Sequence, residues 1–296
     1  MSLEPVYLVD ASIYVFRAWY SVPDEFSTDA GEPTNAVYGF TGFLCSLLEQ
    51  AESSHVGIAF DESLTTSYRN EIYPDYKANR EPAPEELKRQ FKWVREVSES
   101  LGLRCFADPR YEADDLIGTL AGYWRARGHP VCIVSSDKDL VQLIRDGDTW
   151  WDFSRNRKFG RSKAEAQFGV RPEQMADYLA LTGDPVDNIP GVPGVGPKTA
   201  AALLGHFEDL DALWARLEEV PHLSIRGARS LQGKLEHNRD AAELARRLTV
   251  IHTGVPSALQ QPDVTRGAVD EARLNRLFDK LSFGSMLRQR CLQTGR

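Results

Sequence analysis

Three short apolar runs each end on a carboxylate, and this repetition constrains the fold more than any other feature. Val6 to Val9 is followed by Asp10, Val56 to Phe60 by Asp61, and Val131 to Val134 by Asp137 and Asp139 just beyond. Such brief, continuous, β-branched runs suit strands buried on both faces. Between them lie helical patterns over 36–50, 84–101 (opened by Pro84-Glu85) and 113–127. The alternation predicts an α/β fold with a mostly parallel central sheet flanked by helices. In such sheets ligands bind outside the carboxyl ends of the strands. Three separate strands therefore deliver acids to one rim.

The stretch YEADDLIGTLA (111–121) adds Glu112, Asp114 and Asp115 at the start of the helix over 113–127. Glu112 and Asp115 are three apart and share a face of its first turn. Each acid alone has an ordinary explanation, since Asp and Glu favour first helical turns and loops after strands. Gathered on one rim without cations, they would raise one another's pKa values and destabilise the fold. A hard divalent cation resolves the conflict, because Mg²⁺ takes oxygen ligands whereas Zn²⁺ prefers His and Cys. The six histidines show no ligand spacing. The reading is Mg²⁺ or Mn²⁺, in two or more ions, and two such ions suit hydrolysis of a phosphodiester.

Composition bears on this at two points. A formal charge of -8 over 296 residues argues mildly against a nucleic-acid partner if the acids are spread evenly. If they are gathered in one pocket, the rest of the surface is close to neutral and local basic patches remain available. Cys45, Cys105, Cys132 and Cys291 are scattered, which fits reduced thiols in a cytoplasmic protein. No run is long and apolar enough for a transmembrane helix, and MSLEPVYLVDAS lacks the pattern of a signal peptide.

Beyond residue 150 the texture changes. DTWWDFSRNRKFGRS reads as a strand pair with a basic turn, and Ser162 to Glu165 fits a capping box. Helices then follow from Pro172 and near 197–205, 209–219, 227–236 and 238–250. The expected division is a catalytic domain over 1–160 and a helical domain over 161–296, whose last helices return to the core. In IPGVPGVGPKTAAALL (189–204) the spacing of Gly191, Gly194 and Gly196 before Lys198 and Thr199 is a helix–hairpin–helix signal. Its glycines let the backbone approach a phosphate, which then meets a helix N-terminus. Just upstream, Asp184 and Asp187 could reach back to the rim. SYRNEIYPDYKANREPAPEELKRQ (67–90) interleaves aromatics with cations, a pattern suited to single-stranded nucleic acid.

Taken together, LVDAS, GEPTNAVYGF, IAFDES, YPDYKANR, YEADD, SSDKDLVQL and LTGDPVDNIPGVPGVGPKTA closely resemble the bacterial 5′ nucleases in order and spacing. That family includes the 5′→3′ exonuclease domain of DNA polymerase I, stand-alone relatives and phage flap endonucleases. The resemblance runs from about residue 5 to about 290. It implies a PIN-like core with a helical arch at about 67–92 and a helix–hairpin–helix at about 186–204. It implies a monomeric, cytoplasmic, Mg²⁺-dependent nuclease acting on DNA with free 5′ ends, in replication or repair. By position, Asp10, Asp61, Glu112, Asp114, Asp115, Asp137, Asp139, Asp184 and Asp187 match the family's metal-site acids, with Asp10 and Asp115 central to catalysis. Lys77 and Arg80 match the basic pair at the scissile phosphate, and Tyr76 is expected to stack on the terminal base. Arg17 and the hairpin residues Gly191, Val192, Gly194, Val195, Gly196, Lys198 and Thr199 are expected to contact DNA, with a K⁺ ion among the hairpin carbonyls. One departure is Ala11-Ser12-Ile13, where the family often carries Gly-Ser or His-Ser pairs.

Two other readings stand beside this one. A PIN-like ribonuclease would share the acid rim but not the hairpin and arch segments. A non-catalytic module that binds branched DNA would be expected to lack one or more site acids, and none is lost. A haloacid-type phosphatase fails because Asp10 is followed by Ala-Ser.

Overall fold

The computed structural model describes residues 3–23, 25–51, 53–62 and 66–294. Ser63 of the IAFDES stretch, and Met1 and Ser2 of the N-terminal reading, lie outside it.

The apolar runs form the strands they predict: β1 (Val6–Asp10), β2 (Val56–Asp61) and β4 (Val131–Val134), joined by β3 (Arg104–Asp108), β5 (Thr149–Asp152) and β6 (Arg157–Phe159). The order across the sheet is β3-β2-β1-β4-β5-β6. All neighbours are parallel except β6, which runs antiparallel to β5. The strand β3 was not expected. RCFAD sits at the sheet edge with no fully buried residue, so it lacks the apolar signature of its neighbours.

Side chains alternate across the sheet as a two-residue period requires. Tyr7, Val9, Cys132 and Val134 enter one core, and Val6, Leu8, Val131 and Ile133 enter the other. The first core is covered by α1 (Ala11–Ser21), α2 (Asn35–Ala51) and α4 (Glu85–Ser100). Between α2 and α4 lies the short α3 (Tyr68–Ile72). The second core is closed by α5 (Ala113–Arg125), whose Leu116, Ile117, Leu120 and Trp124 are buried against the strands.

The helical part comprises α6 (Arg161–Phe168), α7 (Met175–Thr182), α8 (Pro197–Phe207), α9 (Leu210–Ala215), α10 (Ala228–His237) and α11 (Arg239–Thr249). From α7 onward these helices share a third core around Leu179, Leu203, Phe207 and Leu248. The chain then returns to the sheet through α12 (Pro256–Gln260), α13 (Glu271–Lys280) and α14 (Ser285–Gln293). Helix α12 meets α5, α13 meets α4, and α14 meets α2.

Two local expectations need correction. Helix α6 starts at Arg161 after Gly160, with no side-chain cap, so Ser162 lies inside the helix and not at its boundary. The span expected as an arch over 67–92 divides. Residues 85–92 belong to α4, which buries Leu87 and Gln90 in the core, and only the residues before it lie over the rim. Among the described residues, no helix is long and apolar enough to cross a membrane.

Candidate metal centre and nucleic-acid interface

Strand β1 ends on Asp10, only 6% exposed, and the next residue already starts α1. The Ser135 hydroxyl, just past β4, donates to Asp10 Oδ2 at 2.8 Å. The same hydroxyl accepts the Asp137 N–H at 2.9 Å, and Asp137 Oδ1 accepts the Asp139 N–H at 2.9 Å. SSDKD thus folds into a chain of local bonds that aims its acids at the end of β1. Asp61 Oδ1 accepts the Ala113 N–H at 2.8 Å, so the end of β2 docks the first turn of α5 and with it Asp114. Ser12, in the stretch that departs from the family pattern, accepts the Asp61 N–H at 3.2 Å. In this way hydrogen-bonding around Asp10 and Asp61 is maintained by two serines.

The electrostatics are those of a crowded acid pocket. Burial, then the nearby Asp61, push the Asp10 carboxyl up to about 7. Burial and Asp137 push Asp139 up to about 8. Burial, followed by Asp137, Asp10 and Asp61, holds Asp114 far above the carboxylate range, and burial raises Asp137. Glu112 goes the other way, because Lys77 and Arg69 outweigh the effect of its burial.

Cations already lean on the edge of this pocket. Glu112 Oε2 receives the Tyr76 hydroxyl and Lys77 Nζ, each at 3.0 Å. Lys77 Nζ lies 3.8 Å from Asp187, which also pairs with Arg80. Lys77 takes a left-handed backbone conformation, φ 56°, and its N–H donates to the Asp187 carbonyl at 3.0 Å. That region is uncommon for a residue with a side chain and is held here by the surrounding bonds. Lys138, between the two acids of SSDKD, places Nζ 2.6 Å from Asp184 and 3.5 Å from Asp139. Eight of the nine expected acids therefore surround one region, at the carboxyl ends of the strands and the mouth of the helical part.

The ninth, Asp115, points elsewhere. Consecutive helical residues are rotated by about 100°, so Asp114 and Asp115 cannot both face the pocket. Asp115 is fully buried, with both oxygens paired to Arg69 at 2.7 and 2.8 Å. Its oxygens also accept the Glu112 N–H at 3.1 Å and the His252 N–H at 2.8 Å. No oxygen is left for a cation, which corrects the expectation that Asp115 is a ligand. Tyr76 needs the same treatment: it is 4% exposed, packed in the helical core with its hydroxyl on Glu112, and offers no face to a base.

The donor set fits a hard divalent cation. Glu112 Oε1 is buried with no hydrogen-bond donor, and the buried Asp139 Oδ1 has only the Lys138 ammonium 3.5 Å away. Every free ligand atom is a carboxylate oxygen, the type Mg²⁺ and Mn²⁺ prefer. Among the described residues, no three such side chains converge closely enough to hold one ion by themselves. Mg²⁺ keeps several waters and takes only one or two carboxylates plus substrate phosphates, so a spread of acids suits it.

The hairpin joins α7 to α8 through residues 183–196. A Cβ on Gly191 would lie 2.4 Å from the Gly183 nitrogen and the Thr182 carbonyl carbon, so only glycine lets these two backbones touch. Gly194 has φ +83° and lies beneath Lys234 Nζ. Val192 and Val195 are buried, and their N–H groups bond the Leu181 and Val192 carbonyls. Their expected contact with DNA is therefore corrected: they shape the hairpin from within. Gly194, Gly196 and Lys198 are exposed, Thr199 is half-buried, and the first turn of α8 directs unpaired N–H groups outward. Arg17 is exposed on α1. The sequence reading missed Ser135, Lys138 and Lys234, and it took Arg69 only as one of the cations of the 67–90 segment, not as the buried partner of Asp115. Ser135 and Lys138 had a signal, since they lie among the acids of SSDKD, whereas Lys234 had none.

Residues 5–169 match the family described as 5′-3′ exonuclease, N-terminal resolvase-like domain, and residues 170–272 match its C-terminal SAM fold. The chain is 40% identical over 288 residues to DNA polymerase I of Pseudomonas aeruginosa, covering 97% of this chain and 31% of that protein. It is 38% identical over 293 residues to DNA polymerase I of Mycobacterium tuberculosis, again covering 97% of this chain and 31% of the relative. The chain thus spans about a third of the length of these relatives. Among solved structures, a T5 5′-exonuclease with divalent zinc ions bound superposes with a TM-score of 0.68 at 19% identity, covering 99% of this chain and all of that one. The catalytic core of Rad2 in complex with a DNA substrate gives 0.60 at 16% identity, covering 99% and 92%. The chain belongs to the 5′-3′ exonuclease family.

Proposed function

We propose that this chain is a 5′ nuclease that hydrolyses DNA phosphodiesters near free 5′ ends, in replication or repair, with Mg²⁺ or Mn²⁺ as cofactor. The observation that carries the reading is the acid pocket itself. Asp10, Asp114, Asp137 and Asp139 are gathered at a cost that bound cations would relieve in place of protons, and the buried Glu112 Oε1 has no donor. The solved relatives that bind divalent metal and DNA support the same assignment.

When bound, a pair of divalent ions polarises water on one side of a phosphodiester and stabilises the leaving oxygen on the other. Asp10, Asp61, Asp114, Asp137 and Asp139 would hold the ions from the sheet side, with Glu112, Asp184 and Asp187 completing the rim. Water adds to phosphorus and the bond to the 3′ oxygen breaks. The products are a 5′ phosphate and a 3′ hydroxyl, which takes up the proton. Lys77 and Arg80 now hold carboxylates, and the same charges can turn to the scissile phosphate as it gains charge in the transition state. The hairpin would grip duplex phosphates through Gly194, Gly196 and the N-terminus of α8. Lys198, Thr199 and Lys234 would add side-chain contacts, and the hairpin carbonyls would hold a K⁺ ion. Arg17 would meet the backbone from α1.

The test is a substrate panel with Mg²⁺: 5′ flap, nicked, blunt and single-stranded DNA, and the same shapes in RNA. The proposal expects DNA with a free 5′ end to be cut to 5′-phosphorylated products. Preferential cleavage of RNA would favour the ribonuclease reading, and binding of flaps without cleavage would favour a non-catalytic module.

A further inference from the structure

We propose that Arg69 and Asp115 act as one positioning pair that sets Glu112 and Asp114 for cation binding, Asp115 itself being no ligand. This rests on the metal-nuclease reading above. The guanidinium is 3% exposed and grips both Asp115 oxygens, at 2.7 and 2.8 Å. Its remaining donors are also used. Nε bonds the Leu248 carbonyl at 2.8 Å, Nη2 bonds the Val250 carbonyl at 3.2 Å, and Nη1 approaches Glu112 Oε2 at 3.5 Å. Asp115 in turn holds the Glu112 and His252 N–H groups.

One buried pair therefore joins four segments: α3, the first turn of α5, the end of α11 and the irregular segment that leaves it. Two of these carry site groups. The α5 turn bears Glu112 and Asp114, and α3 leads directly into Tyr76, Lys77 and Arg80. Asp115 bonds the Glu112 amide, while Arg69 lies beside the Glu112 carboxylate. Rotation of the α5 turn is thereby tied to the seating of the basic segment. Side chains that orient a ligand through a hydrogen bond shift metal affinity without touching the metal.

The test is Mn²⁺ binding to the full chain by titration calorimetry, with melting temperature and single-turnover cleavage measured beside it. Arg69→Gln and Asp115→Asn should each weaken Mn²⁺ by about 10- to 100-fold while binding as many ions at saturation as the wild type. The double variant should be no weaker than either single one, because both remove the same interaction. Arg69→Lys, which keeps the charge, should recover part of the affinity. If Asp115→Asn loses one bound ion at saturation while Arg69→Gln keeps the full number, Asp115 is a ligand and the pair assignment is wrong. Additive losses, or wild-type affinity in both variants, would also overturn it. Should Arg69→Gln fail to fold, Asp115→Asn and Arg69→Lys decide the matter by ion count and affinity. A wild-type protein that binds no Mn²⁺ and cuts no DNA would instead remove the metal-nuclease reading beneath the proposal.

Discussion

The ammonium of Lys77 lies 3.0 Å from the carboxylate of Glu112, and both are almost wholly buried. Each would be costly alone, since an unpaired charge in such a place is strongly disfavoured. The pair places a cation at the edge of an acid pocket, where a phosphate could replace the carboxylate as its partner. Lys77→Ala is predicted to lower the single-turnover cleavage rate by about 100-fold or more, with DNA affinity nearly unchanged. Rapid-quench kinetics beside a binding titration separates the two quantities. A loss of affinity at an unchanged rate would make Lys77 a positioning contact only.

Lys138 acts on the other edge as a rival to any metal. Its ammonium is 2.6 Å from Asp184 and 3.5 Å from Asp139, and it is half exposed. Removing it in Lys138→Ala is predicted to tighten Mn²⁺ binding several-fold. Asp184, however, is buried, its side chain only 6% exposed, so removing the ammonium leaves that carboxylate unpaired. The metal-free melting temperature of the variant should therefore fall, and saturating Mn²⁺ should restore it. Calorimetric titration reads the first effect and thermal melting the second. Weaker Mn²⁺ binding would mean that Lys138 orders its acids and does not compete.

The raised carboxyls make a signed prediction about pH. Asp10 and Asp139 titrate at about 7 and about 8 in the folded protein, against about 3.9 in an unfolded chain. Between those values the folded state holds more protons than the unfolded one, so stability falls as pH rises. With EDTA present, the melting temperature should drop from about pH 4 to about pH 8 and then level off. Saturating Mg²⁺ should remove most of that drop, because cations replace the protons. A metal-free melting temperature that rises through this interval would contradict the crowding described for the pocket.

At the hairpin, Gly191→Ala puts a methyl group 2.4 Å from backbone atoms that cannot move aside. Overpacking of this kind costs about 1–3 kcal/mol, and affinity for duplex DNA should fall with it. Gly196→Ala is the control, since nothing lies within 4 Å of its added Cβ. It should melt like the wild type. If Gly191→Ala melts and binds like the wild type, the close approach of the two backbones has no structural role.

The rim was legible because three strands each end on an acid, and a parallel sheet sends those ends to one side. Asp10, Asp61, Asp137 and Asp139 follow from that alone. Asp115 did not, because its neighbour Asp114 shares its chemistry and only the rotation of α5 tells them apart. Tyr76 was misplaced for a similar reason: its surroundings are basic in sequence, but its contacts come from the helical core and from Glu112. Helix α1 was missed as well. ASIYVFRAWYS is rich in β-branched and aromatic residues and follows β1 with no linker, so its helical period is hidden. Lys234 reaches Gly194 from a helix some 40 positions away, a proximity no local pattern encodes.

The most direct test of the account compares wild type with Asp10→Asn on a 5′-flap DNA. The wild type should cut it in Mg²⁺, not in EDTA, and release a 5′-phosphorylated fragment. Asp10→Asn should lose turnover by orders of magnitude while still binding the flap in Ca²⁺. Cleavage that persists in EDTA, or full turnover by Asp10→Asn, would contradict the claim that the acid rim does the chemistry.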